Sequence, residues 1–184
     1  MACDFLTVGR IEPCKDSVGG IKNIYFVNYN AMTVGYDTTD TDVIDSVGTA
    51  VSAYQYEVRS SASTFTQNIQ SSRDAGTTAF EQVLEVTLKK LSIDDHKELK
   101  LLSYNRPHVV IEDNNGNLFL AGLEYGMDVT GGTIVTGGAM ADLSGYTLSF
   151  TGMEKVPANF MVPEAGATGA TDMAKLGFSV ISGS

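Results

Sequence analysis

Asp113, Asn115 and Asn117 stand two apart in the stretch IEDNNGNLFLAGLEYG, and Glu124 follows at the twelfth position counted from Asp113. That is the oxygen spacing of a calcium loop, in which alternate side chains and a terminal carboxylate surround a hard cation. The sixth position, where such a loop needs glycine for its sharp turn, is Leu118, and the flanking runs read as strands, not as the two helices the site requires. Asn115-Gly116 carries the competing signal. Both residues tolerate positive φ, which a type I′ turn between two twisted strands demands. The expectation is a hairpin and no metal.

Other candidate chemistry fails in similar ways. Asp37, Asp40, Asp42 and Asp45 lie close enough to chelate a cation, but like charges this near one another are more simply read as a solvated turn. In GTIVTGGA, 132–139, two glycines have phosphate-loop separation, yet Gly138 sits where lysine must neutralise phosphate and Ala139 where a hydroxyl must hold magnesium. The histidines are His96, inside a helical pattern, and His108, ahead of a strand. Glu112 and Asp113 are adjacent on a strand pattern, so they point to opposite faces and cannot flank one bond. No nucleophile is paired with a base, and the expectation is a chain with no catalytic residues, no cofactor and no enzymatic activity.

The elements that would position these groups are mostly strands. In IKNIYFVNYN, Ile24 and Phe26 alternate with Tyr25, Val27 and Tyr29; AYQYEVRS sets Tyr54, Tyr56 and Val58 at period two. TAFEQVLEVTLKKL puts Phe80, Leu84, Val86 and Leu88 on one face against Glu81, Glu85, Thr87 and Lys89. Between them, 60–78 is a long polar loop, either a disordered tip or an extension from a hairpin, and loops of that length usually contact something. Ser92 and Asp95 resemble a capping box, with acids in the first turn and Pro107 beyond the end, which predicts one flanking helix over 93–104 with Ile93, Leu99 and Leu102 toward a sheet. His96 reads as a packing residue. After it HVVIED, NLFLAGLEYG, GGTIVTGG and GYTLSFTGMEK read as a meander, the last with Tyr146, Leu148 and Phe150 opposite Thr147, Ser149 and Thr151. This gives an N-terminal arm, 1–20, a β-sandwich or barrel-like body, 21–160, and a C-terminal extension, 161–184, whose small residues suggest ordering late or on a partner.

Composition narrows the function classes. The chain has 184 residues, 12 basic and 22 acidic side chains and a formal charge of −10, a balance that argues against gripping a phosphate backbone. Cys3 and Cys14 lack zinc spacing and are read as free thiols. With neither a signal-peptide pattern nor eighteen consecutive apolar residues, a soluble chain made inside a cell and without a membrane partner is expected.

The order strand, polar loop, strand, helix, strand, hairpin, together with GNLFLAGLEYGMDVTGGTIVTGGAMADLSGYTLSFTG at 116–152, resembles the tail tube proteins of tailed bacteriophages, including those of phages with Bacteroidetes hosts, over 21–160. The secreted tubes of bacterial contractile injection systems are similar. The resemblance implies a virion protein of the tail, assembled in the host bacterial cytoplasm as homo-oligomeric, usually hexameric, rings that stack into a hollow tube beside other tail proteins. DNA would pass without specific binding. It also implies that the region 60–78 reaches the adjacent ring, with Phe65, Ile69 and Arg73 as the contact residues, while the Thr147, Ser149 and Thr151 face lines either the channel or the outside. Alternatives are a tail terminator or neck ring, or a calcium-dependent binding module using 37–45.

Overall fold

The run IKNIYFV is apolar on both sides of its pleat, and the computed structural model, which describes residues 9–183 except 13, 49, 60 and 61, buries both sides. Strand β1 (Ile21–Val27) turns Ile24 and Phe26 one way and Tyr25 and Val27 the other, each no more than 5% exposed. A strand oily on both faces belongs in a sheet covered twice.

The chain continues through β2 (Gly35–Tyr36), β3 (Val43–Ser46), β4 (Val51–Glu57), β5 (Thr64–Ser72) and β6 (Thr77–Lys89) to helix α1 (Ile93–Tyr104). Then come β7 (His108–Asp113), β8 (Leu118–Ala121), β9 (Asp128–Val135), β10 (Gly145–Glu154) and β11 (Asn159–Met161), and finally helix α2 (Asp172–Leu176) and β12 (Phe178–Ser182). Eight strands form one sheet in the order β12-β4-β1-β7-β8-β11-β3-β2; the other sheet is β5-β6-β10-β9.

Between the sheets, Ile24, Phe26, Val109 and Ile111 meet Leu84, Val86 and Phe150. On its other face the large sheet curls, so that Ile44 from near one end of the strand order shares a cluster with Val51 and Phe178 from the opposite end, and Met173 and Leu176 of α2 fill the space. The fold is thus mainly β, a sandwich whose larger layer bends toward a barrel.

Four expectations change. Helix α1 forms at the predicted residues, with Ser92 Oγ accepting from the Asp95 N–H at 3.0 Å, but Ile93 is 90% exposed; only Leu99 and Leu102 turn to the core. The segment after α1 is not one meander. Between β8 and β9 the chain crosses from the large sheet to the small one, around Gly122 (φ +66) and Gly126 (φ +77), where a Cβ on Gly126 would lie 2.5 Å from the Arg106 carbonyl oxygen.

The third correction concerns the C-terminal extension, which is part of the fold. Thr171 caps α2, and Gly177 ends it at φ +106 in a place where a Cβ would overlap the Gly48 carbonyl. β12 then pairs in parallel with β4. The described residues of the arm from 9 to 20 hold no helix or strand and are exposed, tied at Val18 by two hydrogen bonds with the Asn115 side chain. Cys14 is a free, exposed thiol; Cys3 lies outside the described residues. No helix among the described residues is long and apolar enough to cross a membrane.

The fourth is the hairpin turn at 113–117. Its only positive φ is Gly116, at +87, so the turn is not type I′. The Gly116 N–H donates to the Asp113 carbonyl and the Asp113 N–H to the Asn117 carbonyl, the pattern of a three-residue loop with a type I turn and a glycine bulge.

Candidate assembly interface

Of the polar segment at 60–78, the part from Thr64 on is an ordered hairpin, strand β5 and a tight turn into β6, which is the extension and not the disordered tip. TFTQNIQSS pairs along its whole length with β6, from Thr64 opposite Glu85 to Ser72 opposite Thr77. Alternation sends Phe65, Gln67, Ile69 and Ser71 to the sandwich side and Thr64, Thr66, Asn68 and Gln70 away from it. Phe65 packs into the cluster between the sheets, so it serves the subunit's own core. Ile69, opposite Phe80, is 70% exposed, and Arg73 lies in the exposed turn. β10 pairs with β6 only as far as Phe80, so 70–79 project beyond the sheet as a two-stranded ribbon.

Thr147, Ser149 and Thr151 do share one face, the outer face of the small sheet, opposite Thr87, Glu85 and Val83 in register. Thr130 on β9 sets its hydroxyl 3.1 Å from that of Thr151, and the Asn68 and Gln70 amides donate to Glu81. From Ala79 to Thr87 this face carries hydroxyls, amides and the carboxylates of Glu81 and Glu85, with Lys89 only at its end. Apart from the half-buried Val83 the face is polar, and it holds no basic side chain before Lys89.

Both edge strands of this sheet, β5 and β9, are open and largely exposed. Unpaired backbone over nine and eight residues is a template for another strand.

The groups that suggested chemistry act as structural fasteners. Burial works to raise the Asp113 carboxyl, but the Asn117 and Asn115 side chains and backbone N–H groups all donate to it and hold it below its ordinary range. Glu124 lies elsewhere, paired with Lys155 at 2.8 Å. Asp37 accepts from the Thr39 and Asp40 N–H groups, the geometry of a turn. Asp142 occupies the Gly138 and Ala139 N–H groups that a phosphate would need. No group of three or more candidate metal ligands gathers among the described residues.

Three buried polar residues anchor the crossover to the small sheet, of which the sequence reading missed Gln82 and Glu154 and placed His108 only ahead of a strand. Gln82 accepts from the Gly122 N–H at 2.8 Å, and Glu154 accepts from the Glu124 and Tyr125 N–H groups at 3.0 and 2.9 Å. Gln82 was visible as a polar break in the stripe of Phe80, Leu84, Val86 and Leu88. His108 takes the Asn30 N–H on Nε2 at 3.1 Å, which leaves Nδ1 to donate to the Gly122 carbonyl at 2.6 Å, and Tyr29 stacks on its ring with Arg106 beyond.

Burial pushes His108 below its ordinary pKa, overriding the bond to Gly122, which works to raise it. A depressed folded-state value means that His108 contributes stability above its unfolded pKa, roughly 6.5, and loses it as pH falls through the folded value. Burial raises Glu154, whose contribution has the opposite sign and is lost as pH rises above the unfolded value. The urea midpoint is therefore expected to drop between pH 7.5 and 5.5 by more in the native sequence than in His108→Gln, and equal drops would show that His108 is not held neutral.

No family model, curated protein or solved structure matches this chain.

Proposed function

We propose that this chain is a structural subunit, not an enzyme, that joins identical copies into rings stacking into a hollow tube, as in the tails of bacteriophages. In that setting it is a virion component assembled in the host bacterial cytoplasm, in contact with other tail proteins. The observation that carries this reading is the small sheet with two long open edges. Pairing β5 of one copy with β9 of the next continues the sheet, removes both edges and makes a head-to-tail contact that closes when its rotation does.

The four-stranded layer is the one with both long edges open. Side-by-side copies joined through those edges form a continuous inner sheet with this layer toward the axis. Thr147, Ser149 and Thr151 then line the channel, and a face of hydroxyls and carboxylates lets a duplex slide without specific binding. If the ring has six copies, the charge of −10 on each gives about −60 per ring.

Negative-stain imaging of the purified chain over rising concentration tests the proposal. Rings or tubes with a central channel are expected; a monodisperse monomer throughout overturns it.

A further inference from the structure

Asn115 holds the arm by both ends of its carboxamide. Its Oδ1 accepts from the Val18 N–H at 2.9 Å and its Nδ2 donates to the Val18 carbonyl at 2.8 Å, so one side chain reproduces a rung of sheet pairing with backbone 97 residues away. Nδ2 also donates to the Asp113 carboxylate at 3.1 Å. Beside it Asn114 ties the root of the arm, its side chain to the Gly19 carbonyl and its N–H to the Gly20 carbonyl. The clamp on Val18 depends on a carboxamide, which offers a donor and an acceptor side by side where a carboxylate offers acceptors only.

Asn115 is also the one asparagine of the chain followed by glycine. An asparagine Cγ can be attacked by the backbone nitrogen of the next residue, and glycine, having no Cβ, shields that nitrogen least. Gly116 is exposed, with open space where a Cβ would stand. Hydroxide removes the Gly116 N–H proton, the nitrogen bonds to Cγ and the carboxamide nitrogen leaves as ammonia, giving a cyclic succinimide. Water then opens the ring at either carbonyl, to aspartate or to isoaspartate, and nothing is oxidised or reduced.

Both reacting groups are occupied while the arm is attached. Val18 and Asp113 pin the carboxamide, and the Gly116 N–H donates to the Asp113 carbonyl at 3.2 Å. Ring closure requires Asn115 to leave Val18 and Gly116 to leave Asp113, so attachment slows the reaction. The product cannot take the arm back. An oxygen in place of Nδ2 faces the Val18 carbonyl and sets a second negative charge against Asp113, and isoaspartate also lengthens the backbone inside the turn. Asn114 still holds Gly19, and Gly20, at φ +106, becomes the pivot.

We propose that Asn115 is a self-modification site, guarded by the arm while it is attached, and that conversion of its carboxamide to an acid releases the arm at Val18 irreversibly. The reaction consumes only water and is independent of whether copies assemble.

The test incubates the full chain at mildly alkaline pH, digests it and scores peptides spanning 111–118 for the aspartyl and isoaspartyl forms. Conversion at Asn115 ahead of the other asparagines is expected. Val18→Pro, which deletes the N–H that Oδ1 accepts, is expected to speed it about fivefold, the population change that one hydrogen bond of ordinary net strength represents. Native-state hydrogen exchange at Val18 is expected to quicken by about the same factor in Asn115→Asp. Val18 and Asn115 are both exposed, so neither change touches the core. No acid at Asn115, another asparagine converting first, a rate in Val18→Pro no higher than in the native chain, or unchanged exchange at Val18 in Asn115→Asp each overturns the proposal.

Discussion

A chain ending at Val162 is expected not to fold. It lacks Met173, Leu176 and Phe178, each under 5% exposed, from the cluster inside the curled sheet. It also loses β12 from the edge of β4, and with it the Val47 N–H bond to the Leu176 carbonyl and the Val51 N–H bond to the Gly177 carbonyl. Fully burying a large apolar side chain contributes about 1.5–3 kcal/mol. Three of them represent roughly 5–9 kcal/mol against a typical total of about 5–15 kcal/mol. Far-UV circular dichroism and urea titration of the shortened chain provide the measurement. A cooperative transition near the native midpoint would mean that these residues are dispensable decoration.

Replacing Phe150 by alanine has the next largest effect expected of a single substitution. Its ring is fully buried and lies 5.2 Å from that of Phe26, which in turn meets Tyr56 edge-on at 5.2 Å. The side chain comes from the small sheet and its partner from the large one, so the pair spans the sandwich. Aromatic-to-alanine changes at such sites cost about 3–5 kcal/mol, since neighbouring groups only partly close the cavity. The readout is the change in urea midpoint at constant slope, and a loss below about 1 kcal/mol contradicts the packing of the two sheets against each other.

Local contrast decided what the sequence disclosed. β6 and β10 were legible because Leu84, Val86 and Phe150 alternate with Glu85, Thr87 and Thr151, and α1 because Ser92 caps it and Asp94 and Asp95 occupy its first turn. β5 was not, since Gln67 and Ser71 on its inner side are as polar as Thr66 and Gln70 on its outer side. Its pairing with β6 is visible only in three dimensions. The C-terminal residues hid Met173, Leu176 and Phe178 among glycine, alanine, serine and threonine. The turn after β7 was found but its type was not, because the Asp113 side chain, not the handedness of the backbone, organises it. Nor does any local signal assign β8 and β9 to different sheets.

The shared face of Thr147, Ser149 and Thr151 was identifiable from spacing, whereas Ile69 came only from the resemblance to tail tube proteins. Phe65 was misassigned to an outside contact because its core position depends on β5 being a strand.

The pairing of Phe178 with Val51 has a kinetic consequence. Those partners lie over a hundred residues apart, and Tyr25 and Val110 are also far separated, so the large sheet must wait for slow loop closures. The β5–β6 ribbon closes across a short turn and samples its pairing within about 1–10 μs. New chains therefore pass through a stage in which the ribbon exists before the layer that supports it. At that stage its exposed surface and unpaired strand edges make nascent copies prone to aggregate.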